Sequence, residues 1–562
     1  MPWDRPESAL ILRDGLGGEA VRVVAIARHP ETLPAEWRER VELHALDLAE
    51  SPVEQIATAC GRDALVFHLA ASAAVSGGEA AYRNNVRATE RLVEALRPSA
   101  PRRIVYASSI GAVDRLPADP CTAPLNEDAP AHPLTRYGAS KLEGERLLRD
   151  AGLPFVVVRP TWVYGPGMRA DSHLRVFLEM VRAAKPVAQV AFPGRVSLIH
   201  VDDLCSALLL AAERTDAIGQ TFFAADDVPV SIGTLFHELG EITGRPGGRI
   251  RVPAPVAAIA RRLRRWLPLA AQGLHSDVLL ASASRLRALG FAPAMPRYRG
   301  LIALARSTAP AGGRWIITGA ASGIGRALAV QLYAAGHKVI GLDRNDEGLS
   351  ALRADCPDLQ TQCADLATED GQRSLVACIE QEPLDGSVNC AGIGARGVVS
   401  ELPAAAQASL LSVNVAALAQ ASAHAARKMT QQASGGVLVN VASSAALQPL
   451  PGMAAYAASK AFVLSYSEAI AEELAATAVR VITVCPGGTD TGFQAASGVR
   501  RVEGEQLMPA PVAAARIFRA IQRRQSGTVL IGGRTKAMAL LARLLPRRTL
   551  VRLWGRLMNE MR

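Results

Sequence analysis

The stretch 315–344, WIITGAASGIGRALAVQLYAAGHKVIGLDR, decides the fold of this chain of 562 residues. An apolar run at 315–318 is followed by a glycine-rich turn, by apolar residues at helical spacing, and by a second apolar run that ends in Asp343. This order predicts a buried strand, a tight turn, a helix and a second buried strand. In such a unit the glycines let the backbone approach a pyrophosphate, and the acid accepts hydrogen bonds from ribose hydroxyls. The stretch therefore predicts a dinucleotide-binding site.

The glycines of this turn are spaced as TGxxxGIG, and a glycine motif alone is equally consistent with a plain tight turn. The flanking strands and the acid 18 residues after the last glycine decide for a cofactor site. The residues predicted to contact the dinucleotide here are Gly319, Ser322, Gly323, Ile324, Gly325 and Asp343. Because a carboxylate repels a 2′-phosphate, Asp343 favours NAD over NADP.

The composition is that of an ordinary globular protein, with 49% hydrophobic and 20% charged residues. The net charge of +10 raises the question of nucleic acid, but the arginines are spread through helices without interleaved aromatics, which predicts no nucleic-acid partner. Eight cysteines show neither CxxC pairs nor metal spacing, so we expect reduced thiols and no metal. The polar start and the lack of a run of about 18 apolar residues predict a cytoplasmic protein.

The order of strands in the second half is repeated in the first. Apolar runs occur at 21–27 and 64–69, and His68 precedes Tyr137 by 69 residues, as Asn389 precedes Tyr456 by 67. Strands that alternate with helical patterns predict the α/β class, here as two tandem Rossmann-like, doubly wound parallel sheets. The small-residue run STAPAGG at 307–313 is the predicted linker between domains 1–306 and 314–562.

The two halves differ at the front. Aligning AIAR on GLDR places Ala27 where the second half has Asp343, so the counterpart of the glycine turn falls near residue 3. Residues 2–9 contain no glycine, and the glycines at 15–18 precede a strand instead of following one. We therefore expect the first half to be N-terminally incomplete, without a phosphate loop, and its cofactor stays unknown. A start codon placed too late and a truncated half kept for its structure both explain this.

The motif YAASK places Tyr456 and Lys460 one helical turn apart. A phenol is a poor base at neutral pH, and an ammonium held beside it lowers its pKa. The phenol can then exchange a proton with a substrate hydroxyl while hydride moves to or from a nicotinamide. Ser443 lies 13 residues upstream, in NVASS, and completes a candidate catalytic set.

With these motifs, residues 314–562 resemble a classical short-chain dehydrogenase/reductase. The resemblance implies that Ser443 binds the substrate oxygen, that Tyr456 is the acid/base, that Lys460 holds the ribose, and that Asn414 is a fourth catalytic residue in a proton relay. It implies an enzyme that interconverts a secondary alcohol and a ketone. It also implies a homo-oligomer built on the YxxxK helix, with pairing of the two such helices within one chain as the alternative. Further cofactor contacts implied by the resemblance are Asp365, Leu366, Asn389, Ala391, Gly392, Pro486, Gly487 and Thr489.

Residues 9–306 resemble the extended branch of the same superfamily, which includes epimerases, dehydratases and 3β-hydroxysteroid dehydrogenases. The motifs that carry the resemblance are HLAA at 68–71, YASS at 106–109, YGASK at 137–141, RPTWVYGPG at 159–167 and LIHVDDL at 198–204. It implies a triad of Ser109 (or Ser108), Tyr137 and Lys141. Ala27-Arg28 in place of an acid suits NADP. A non-catalytic nucleotide-binding scaffold or sensor is the alternative for this half or for the whole chain.

Two arginine-rich amphipathic helices are predicted, at 256–267 and 550–558. Such helices can lie on an anionic membrane, or they can pack over a substrate pocket. Packing is the favoured interpretation, and contact with a membrane surface is the minor one. Apolar Phe493, Leu507 and Met508 hint at a hydrophobic small-molecule alcohol as the substrate.

Overall fold

The computed structural model describes residues 21–33, 35–72, 78–114, 123–226, 228–262, 274, 277, 280–498, 506–524 and 526–560. The chain divides into two compact units, Met1–Glu238 with Gly247–Leu304 and Leu239–Pro246 with Ala305–Arg562. The helix Arg297–Ser307 extends to the first residue of the predicted linker. A strand begins directly after the linker, at Arg314.

A seven-stranded parallel sheet forms the second unit, which confirms the predicted class. Its strands in spatial order are Gln360–Cys363, Lys338–Asp343, Arg314–Thr318, Gly386–Asn389, Gly436–Val441, Val479–Pro486 and Gly527–Ile531. The strand Arg314–Thr318 pairs with Lys338–Asp343 on one side and with Gly386–Asn389 on the other. The strand order reverses here, and in such sheets ligands bind outside the carboxyl ends of the strands at the reversal.

Helices cover both faces of this sheet, because its strands are apolar on both sides. Ile316, Leu342 and Leu438 share one core with Ala421 and Met429 of a covering helix, and all five are buried. The helices of this unit are Gly323–Ala334, Asp346–Asp355, Glu369–Glu380, Ala404–Leu411, Leu418–Thr430, Ala454–Glu473, Phe493–Ala496, Ala510–Gln522, Gly533–Leu544 and Arg547–Glu560. A short strand pair, Thr489–Asp490 with Met508–Pro509, completes it.

One helical stretch, Ala404–Thr430, is long and apolar enough to cross a membrane by length and composition, with a mean hydropathy of 1.2 over its most apolar 18 residues. The sequence analysis did not anticipate it. A single helix of this kind is weak evidence for a membrane span, because core helices of globular proteins pass the same test. Here Ala421, Ala425 and Met429 of this stretch pack in the core of the sheet, so it is a core helix of this fold.

The described part of the first unit contains a four-stranded parallel sheet, a separate two-stranded parallel sheet and three shorter strand pairs. The larger has the order Thr221–Ala224, Phe155–Pro160, Arg103–Ala107 and Leu65–His68, and the smaller pairs Val24–Ala27 with Glu42–Ala45. Short strands pair as Trp162–Tyr164 with Leu198–His200, Arg195–Val196 with Val230–Ser231, and Val190–Ala191 with Ile250–Arg251. The helices are Ala35–Arg38, Val53–Cys60, Gly78–Leu96, Arg136–Asp150, His173–Arg182, Val201–Glu213, Ile232–Thr243, Ala254–Arg262, Ser284–Ala288 and Arg297–Ser307.

The division into two sheets distinguishes the first unit from the second. No strand among the described residues joins Val24–Ala27 to Leu65–His68, whereas Arg314–Thr318 fills the corresponding position in the second unit. The predicted glycine-free segment 2–9 and the glycines at 15–18 lie outside the described residues. The strand predicted at 21–27 begins only at Val24, and it is half-buried where a buried strand was expected. Among the described residues this strand pairs only with Glu42–Ala45, so it forms the edge of its sheet there.

The predicted arginine-rich helix at 256–267 is described as Ala254–Arg262, and the rest of it lies outside the described residues. Its predicted apolar face is exposed, since Val256 is 52% and Ile259 is 59% accessible. The predicted tail helix is present as Arg547–Glu560. It buries Leu550, and a β-carbon at Gly555 would lie 3.7 Å from Pro451 Cγ.

Candidate active site

The glycine turn at the carboxyl end of the central strand forms a cradle with no room for side chains. Gly319 has a φ of +73°, and a β-carbon there would lie 3.0 Å from the backbone nitrogen of Ala391. A β-carbon at Gly325 would lie 2.1 Å from Gly319 O, so the helix Gly323–Ala334 packs directly on the turn. Ser322 is the N-cap, and its side chain makes no capping hydrogen bond in the described structure. The first-turn N–H groups therefore remain available to an anion, as a pyrophosphate requires.

Asp343 ends the neighbouring strand and faces this turn. Its Oδ2 accepts a hydrogen bond from Ala321 N at 3.1 Å, and its Oδ1 accepts one from Asn345 N at 3.0 Å. The carboxylate is thereby fixed beside the turn, where the hydroxyls of an adenosine ribose lie in dinucleotide sites of this design. Ile324 follows Gly323 in the first turn of the same helix.

Ser443 and Tyr456 lie together at the end of the strand Gly436–Val441. Ser443 caps the short helix Ser444–Leu447, with its Oγ accepting a hydrogen bond from Ala445 N at 3.1 Å, and it hydrogen-bonds the Tyr456 hydroxyl. Burial raises the pKa of Tyr456, and the hydrogen bond with Ser443 opposes this rise. The sequence predicted that Lys460 lowers this pKa. Burial instead raises it, and Ser443, not the lysine, is the opposing group.

Lys460 is buried beside Gly392 and Asn414. Its ammonium donates a hydrogen bond to Val441 O at 2.9 Å, and burial lowers its pKa to about 8. A β-carbon at Gly392 would lie 3.2 Å from Lys460 Nζ and 3.4 Å from Asn414 Oδ1, so this glycine keeps the space between them open. The structure thus brings together the ammonium, the amide and the open backbone predicted to border a cofactor.

Asn414 lies in a π-helical turn, Ser412–Ala417, and is fully buried. Its Oδ1 accepts a hydrogen bond from Ile393 N at 2.9 Å, and its Nδ2 donates to Ile393 O at 2.9 Å and to Ser459 Oγ at 3.0 Å. The Ser459 hydroxyl in turn donates to Tyr456 O at 2.7 Å. A widened turn of this kind often marks a functional site in a helix. Here it fixes Asn414 against both the Tyr456 helix and the loop after Asn389.

The remaining predicted cofactor residues lie at the carboxyl ends of the same strands. Asp365 accepts a hydrogen bond from Ala367 N at 2.9 Å, and Leu366 is buried in the core. Asn389 donates to Asn440 Oδ1 at 2.8 Å. Thr318 Oγ1 accepts from Ala391 N at 3.1 Å.

The loop after the strand Val479–Pro486 completes this edge of the sheet. Gly487 follows Pro486 and donates its N–H to Ile531 O at 3.2 Å, and Thr489 Oγ1 donates to Gly487 O at 3.0 Å. A β-carbon at Gly323 would lie 2.9 Å from Thr491 Cγ2, so the loop passes over the glycine turn. The Phe493 ring lies 5.1 Å from that of Tyr456.

The first unit contains the same arrangement of serine, tyrosine and lysine. Ser109 caps the helix Ile110–Val113 through Gly111 N and hydrogen-bonds Tyr137, whose pKa burial raises to about 12. Lys141 Nζ donates to Ala107 O at 2.6 Å, and burial lowers its pKa to about 7. Ser108 is excluded from the triad, because its hydroxyl donates to Glu145 Oε1 at 2.6 Å.

Sequence reasoning missed one residue of this arrangement, Asn85. Its Oδ1 accepts from Ser72 N at 2.7 Å, and its Nδ2 donates to Ser72 O and to Ser140 Oγ, both at 3.1 Å. Ser140 donates to Tyr137 O at 2.8 Å. This is the bonding pattern of Asn414, so Asn85 is its structural counterpart. The signal was the dipeptide Asn-Val, which both halves place ahead of the YxxxK helix.

The adenine side of the first unit is only partly equivalent. Asp47 Oδ1 accepts from Ala49 N at 2.8 Å, as Asp365 accepts from Ala367 N. Arg28 aligns with Arg344, the arginine that follows Asp343 in the second half. Its guanidinium lies 3.8 Å from the Asp47 carboxylate, and the ion pair is exposed. No glycine cradle like that at Gly319 precedes the strand Val24–Ala27 in the part of the chain that the structure describes.

A doubly wound parallel sheet with a glycine cradle and a serine, tyrosine and lysine at its carboxyl edge defines a dinucleotide-dependent oxidoreductase. Comparison with protein families agrees. Residues 314–501 match the model described as short chain dehydrogenase, and residues 11–225 match that of the NAD dependent epimerase/dehydratase family.

Individual relatives are similar to the chain over about a third of its length. L-xylulose reductase from Bos taurus is 32% identical over 176 residues, which cover 31% of this chain and 71% of the relative. The 2,3-dihydro-2,3-dihydroxybenzoate dehydrogenase of Bacillus subtilis is 35% identical over 184 residues, which cover 32% and 70%. A solved short-chain dehydrogenase from Sphingobium yanoikuyae in complex with NADPH is 25% identical with a TM-score of 0.37, covering 39% of this chain and 87% of that one. The chain belongs to the short-chain dehydrogenase/reductase family.

The buried lysine generates a prediction about stability. Because burial lowers the pKa of Lys460 from 10.5 to about 8, the folded state binds fewer protons than the unfolded state between these values. The free energy of unfolding should therefore rise with pH across that window. Lys460→Met should raise the free energy of unfolding at pH 7 by about 1–3 kcal/mol, with the gain fading towards pH 10.5. Urea unfolding at a series of pH values measures this, and Lys338→Met, on an exposed lysine at the start of the strand Lys338–Asp343, is the control. A pH-independent difference between wild type and Lys460→Met would contradict the assignment.

Proposed function

We propose that the second half is an NAD-dependent oxidoreductase that interconverts a secondary alcohol and a ketone. The observation that carries this is the convergence of Ser443, Tyr456, Lys460 and Asn414 at the edge of the sheet that also holds the glycine cradle. A protein that only senses or displays a dinucleotide needs the cradle but not a buried acid/base group. The presence of all four residues therefore favours an enzyme over a sensor for this half.

The residues divide the work of a proton and hydride exchange. A bound nicotinamide dinucleotide supplies or accepts the hydride. In the reductive direction the Tyr456 hydroxyl donates its proton to the substrate oxygen, and in the oxidative direction it takes that proton back. Ser443 is fixed by the hydrogen bond that its Oγ accepts from Ala445 N, and its hydroxyl lies beside that of Tyr456, where both can bind the substrate oxygen. Lys460, placed between Val441 O and the opening at Gly392, is positioned to hold the ribose of the dinucleotide.

We propose NAD as the preferred cofactor of the second half, on the strength of Asp343. Its carboxylate is fixed by two backbone N–H groups beside the glycine turn, so it cannot move away from a 2′-phosphate without losing both hydrogen bonds. The charge repulsion then falls on NADP alone. The remaining cradle residues serve both cofactors equally.

We propose a small-molecule alcohol or ketone as the substrate. Phe493 packs against Tyr456, and Leu410, Met453 and Leu450 lie in the same apolar cluster, which supports an apolar substrate. The relatives named above, L-xylulose reductase and 2,3-dihydro-2,3-dihydroxybenzoate dehydrogenase, are named for small-molecule substrates.

For the first half we propose that the acid/base arrangement is retained while dinucleotide binding is weak or absent. Ser109, Tyr137, Lys141 and Asn85 repeat the contacts of the second half, which supports descent from a working site. The two-sheet arrangement described for this half provides no cradle for a pyrophosphate. A role as a scaffold or sensor is the alternative, and the stoichiometry experiment below separates the two.

Three further features belong to this proposal. The domain limits are 1–306 and 314–562, with 307–313 between them. The protein is cytoplasmic, which fractionation of cells can test.

It forms a homo-oligomer through the YxxxK helix, because Phe462 on that helix is 38% exposed and stacked on Tyr466 at 5.3 Å. A monomer by light scattering at micromolar concentration would overturn the last point.

Tyr456→Phe should lower turnover by about 10²–10⁴-fold, because only the proton donor is lost. Binding of NAD, measured by calorimetry, should stay unchanged. Tyr466→Phe is the matched control, since Tyr466 lies on the same helix and donates to Ala419 O, away from the site. If Tyr456→Phe retains more than a few per cent of wild-type turnover, Tyr456 is not the acid/base.

Asp343→Asn should reduce the preference for NAD over NADP by about tenfold or more, because it removes the charge and keeps an oxygen for Ala321 N. The ratio of kcat/KM values for the two cofactors measures this. Asp370→Asn is the control, because it changes an exposed acid in the first turn of the helix Glu369–Glu380. An unchanged ratio in Asp343→Asn would mean that Asp343 does not face the ribose.

Titration of the full chain with NAD should show one site per chain. Lys460→Met should weaken that site, whereas Lys141→Met should leave the affinity and the stoichiometry unchanged, because the first half does not bind. Two sites per chain, or a loss of binding in Lys141→Met, would assign a working cofactor site to the first half. Thermal unfolding of both variants checks that each is folded.

A further inference from the structure

The C-terminal part of the second unit carries positive charge without any negative charge. Residues 506–559 contain no aspartate or glutamate. Their cations are Arg516, Arg519, Arg523, Arg524, Arg534, Lys536, Arg543, Arg547, Arg548, Arg552 and Arg556. These eleven charges exceed the net charge of the whole chain, +10, so the basic character of the protein is concentrated here.

Four of these cations line one cavity of about 390 Å³. They are Arg516, Arg519, Arg523 and Lys536, and the backbone of Ile531, Gly532 and Gly533 closes one side. Arg519 donates to Ala515 O at 3.1 Å. Among the described residues no carboxylate pairs with Arg516, Arg523 or Lys536. None of the residues proposed for catalysis or dinucleotide binding lines this cavity.

The cavity also receives the N-terminus of the helix Gly533–Leu544. Its N-cap is Gly532, with a φ of +111°, which has no side chain to cap the first turn. The free N–H groups of that turn carry partial positive charge and favour an anion. Four cationic side chains and a helix N-terminus around one cavity fit a phosphate group.

The same helix exposes leucines that a globular protein ordinarily buries. Leu540 is 59% exposed, Leu541 is 45% exposed and Leu544 is 69% exposed. At helical spacing these three side chains fall within an arc of about 100°. Lys536 and Arg543 border the arc on one side and Arg534 on the other. The result is an apolar patch with a rim of cations, one helical turn beyond Lys536 of the cavity.

Charge and apolarity together select the occupant of this surface. A second copy of the chain docked on this patch would bring cations against cations, which opposes association. A nucleic acid would use the cations and leave the leucines exposed to water. An anionic bilayer uses both, because leucines enter the acyl boundary while arginines and lysines meet the phosphates. We propose that this surface, comprising the cavity and the exposed leucines, binds an anionic phospholipid membrane with a headgroup phosphate in the cavity.

The tail helix, which the sequence predicted to pack, is not part of this membrane surface. The tail helix Arg547–Glu560 does pack, since it buries Leu550 and brings Gly555 beside Pro451. The preceding helix does not bury its leucines within the described structure. The membrane surface is therefore carried by the helix Gly533–Leu544, for which the sequence analysis made no prediction.

Flotation of the full-length protein with vesicles tests the proposal. Vesicles of phosphatidylcholine with about 30% phosphatidylglycerol should bind the protein, and vesicles of phosphatidylcholine alone should not. Binding should fall as salt is raised, because the attraction is largely electrostatic. Inorganic phosphate at millimolar concentration should compete only partly, since it fills the cavity without engaging the leucines.

Two variants separate the contributions. Arg516→Gln with Arg523→Gln and Lys536→Gln should lower vesicle binding about tenfold or more. Leu540→Ser with Leu544→Ser should lower it as well, because these leucines supply the apolar part of the contact. Ile218→Ser, on an exposed apolar residue of the first unit, is the control and should bind as wild type does. Unchanged oxidoreductase turnover in every variant shows that each is folded.

Equal binding to both kinds of vesicle, or none to either, would overturn the proposal. So would full competition by inorganic phosphate, which would assign the cavity to a free phosphorylated ligand. Dimers in wild type that Leu540→Ser with Leu544→Ser dissociates, measured by light scattering, would assign the leucines to a second copy. Equal loss of vesicle binding in Ile218→Ser would show that the effect is not specific to this surface.

Discussion

The structure of the second half depends on the central strand Arg314–Thr318, which hydrogen-bonds to a neighbour on each side. Its last residue, Thr318, anchors the loop after Asn389 to the end of this strand. The Thr318 Oγ1 accepts hydrogen bonds from both Cys390 N and Ala391 N at 3.1 Å. The glycine turn and the loop after Asn389 are thereby held together at the point where the strand order reverses. A loop closed over a pyrophosphate must have no β-carbon in the way, and Gly319 and Gly325 meet that condition at close range.

The catalytic arrangement places two lysine ammonium groups, those of Lys460 and Lys141, away from water. An ammonium removed from water loses solvation that one backbone carbonyl replaces only in part, and burial lowers the pKa of both Lys460 and Lys141. The first unit offsets this with a nearby acid, Glu145, which favours the charged form of Lys141 and is itself held by Arg159 at 2.7 Å. No carboxylate is among the groups that perturb Lys460, so the ammonium relies on its hydrogen bond to Val441 O.

Comparison of the two halves separates catalytic geometry from cofactor geometry. The hydrogen bonds of Ser109, Lys141, Asn85 and Ser140 match those of Ser443, Lys460, Asn414 and Ser459 residue by residue. These contacts link one strand end, one helix and one loop, so they persist wherever those three elements pack. The dinucleotide cradle needs a strand that joins both parts of the sheet. Among the described residues of the first unit, Val24–Ala27 and Leu65–His68 lie in different sheets, and the hydrogen bonds of the acid/base arrangement are present.

The sequence by itself determined the class of fold, the order of the strands in the second half and the positions of Gly319, Asp343, Ser443, Tyr456 and Lys460. These features are encoded locally, since apolar runs, glycine spacing and a one-turn separation in a helix need no tertiary context. Tertiary structure alone decided that burial raises the pKa of Tyr456, that Ser108 belongs to Glu145, and that Asn85 is the counterpart of Asn414. It also decided that Leu540 and Leu544 face water while Leu550 is buried. Desolvation, contacts between residues far apart in the chain, and the burial of one helix face are set by packing, and a pattern of residues along the chain does not contain them.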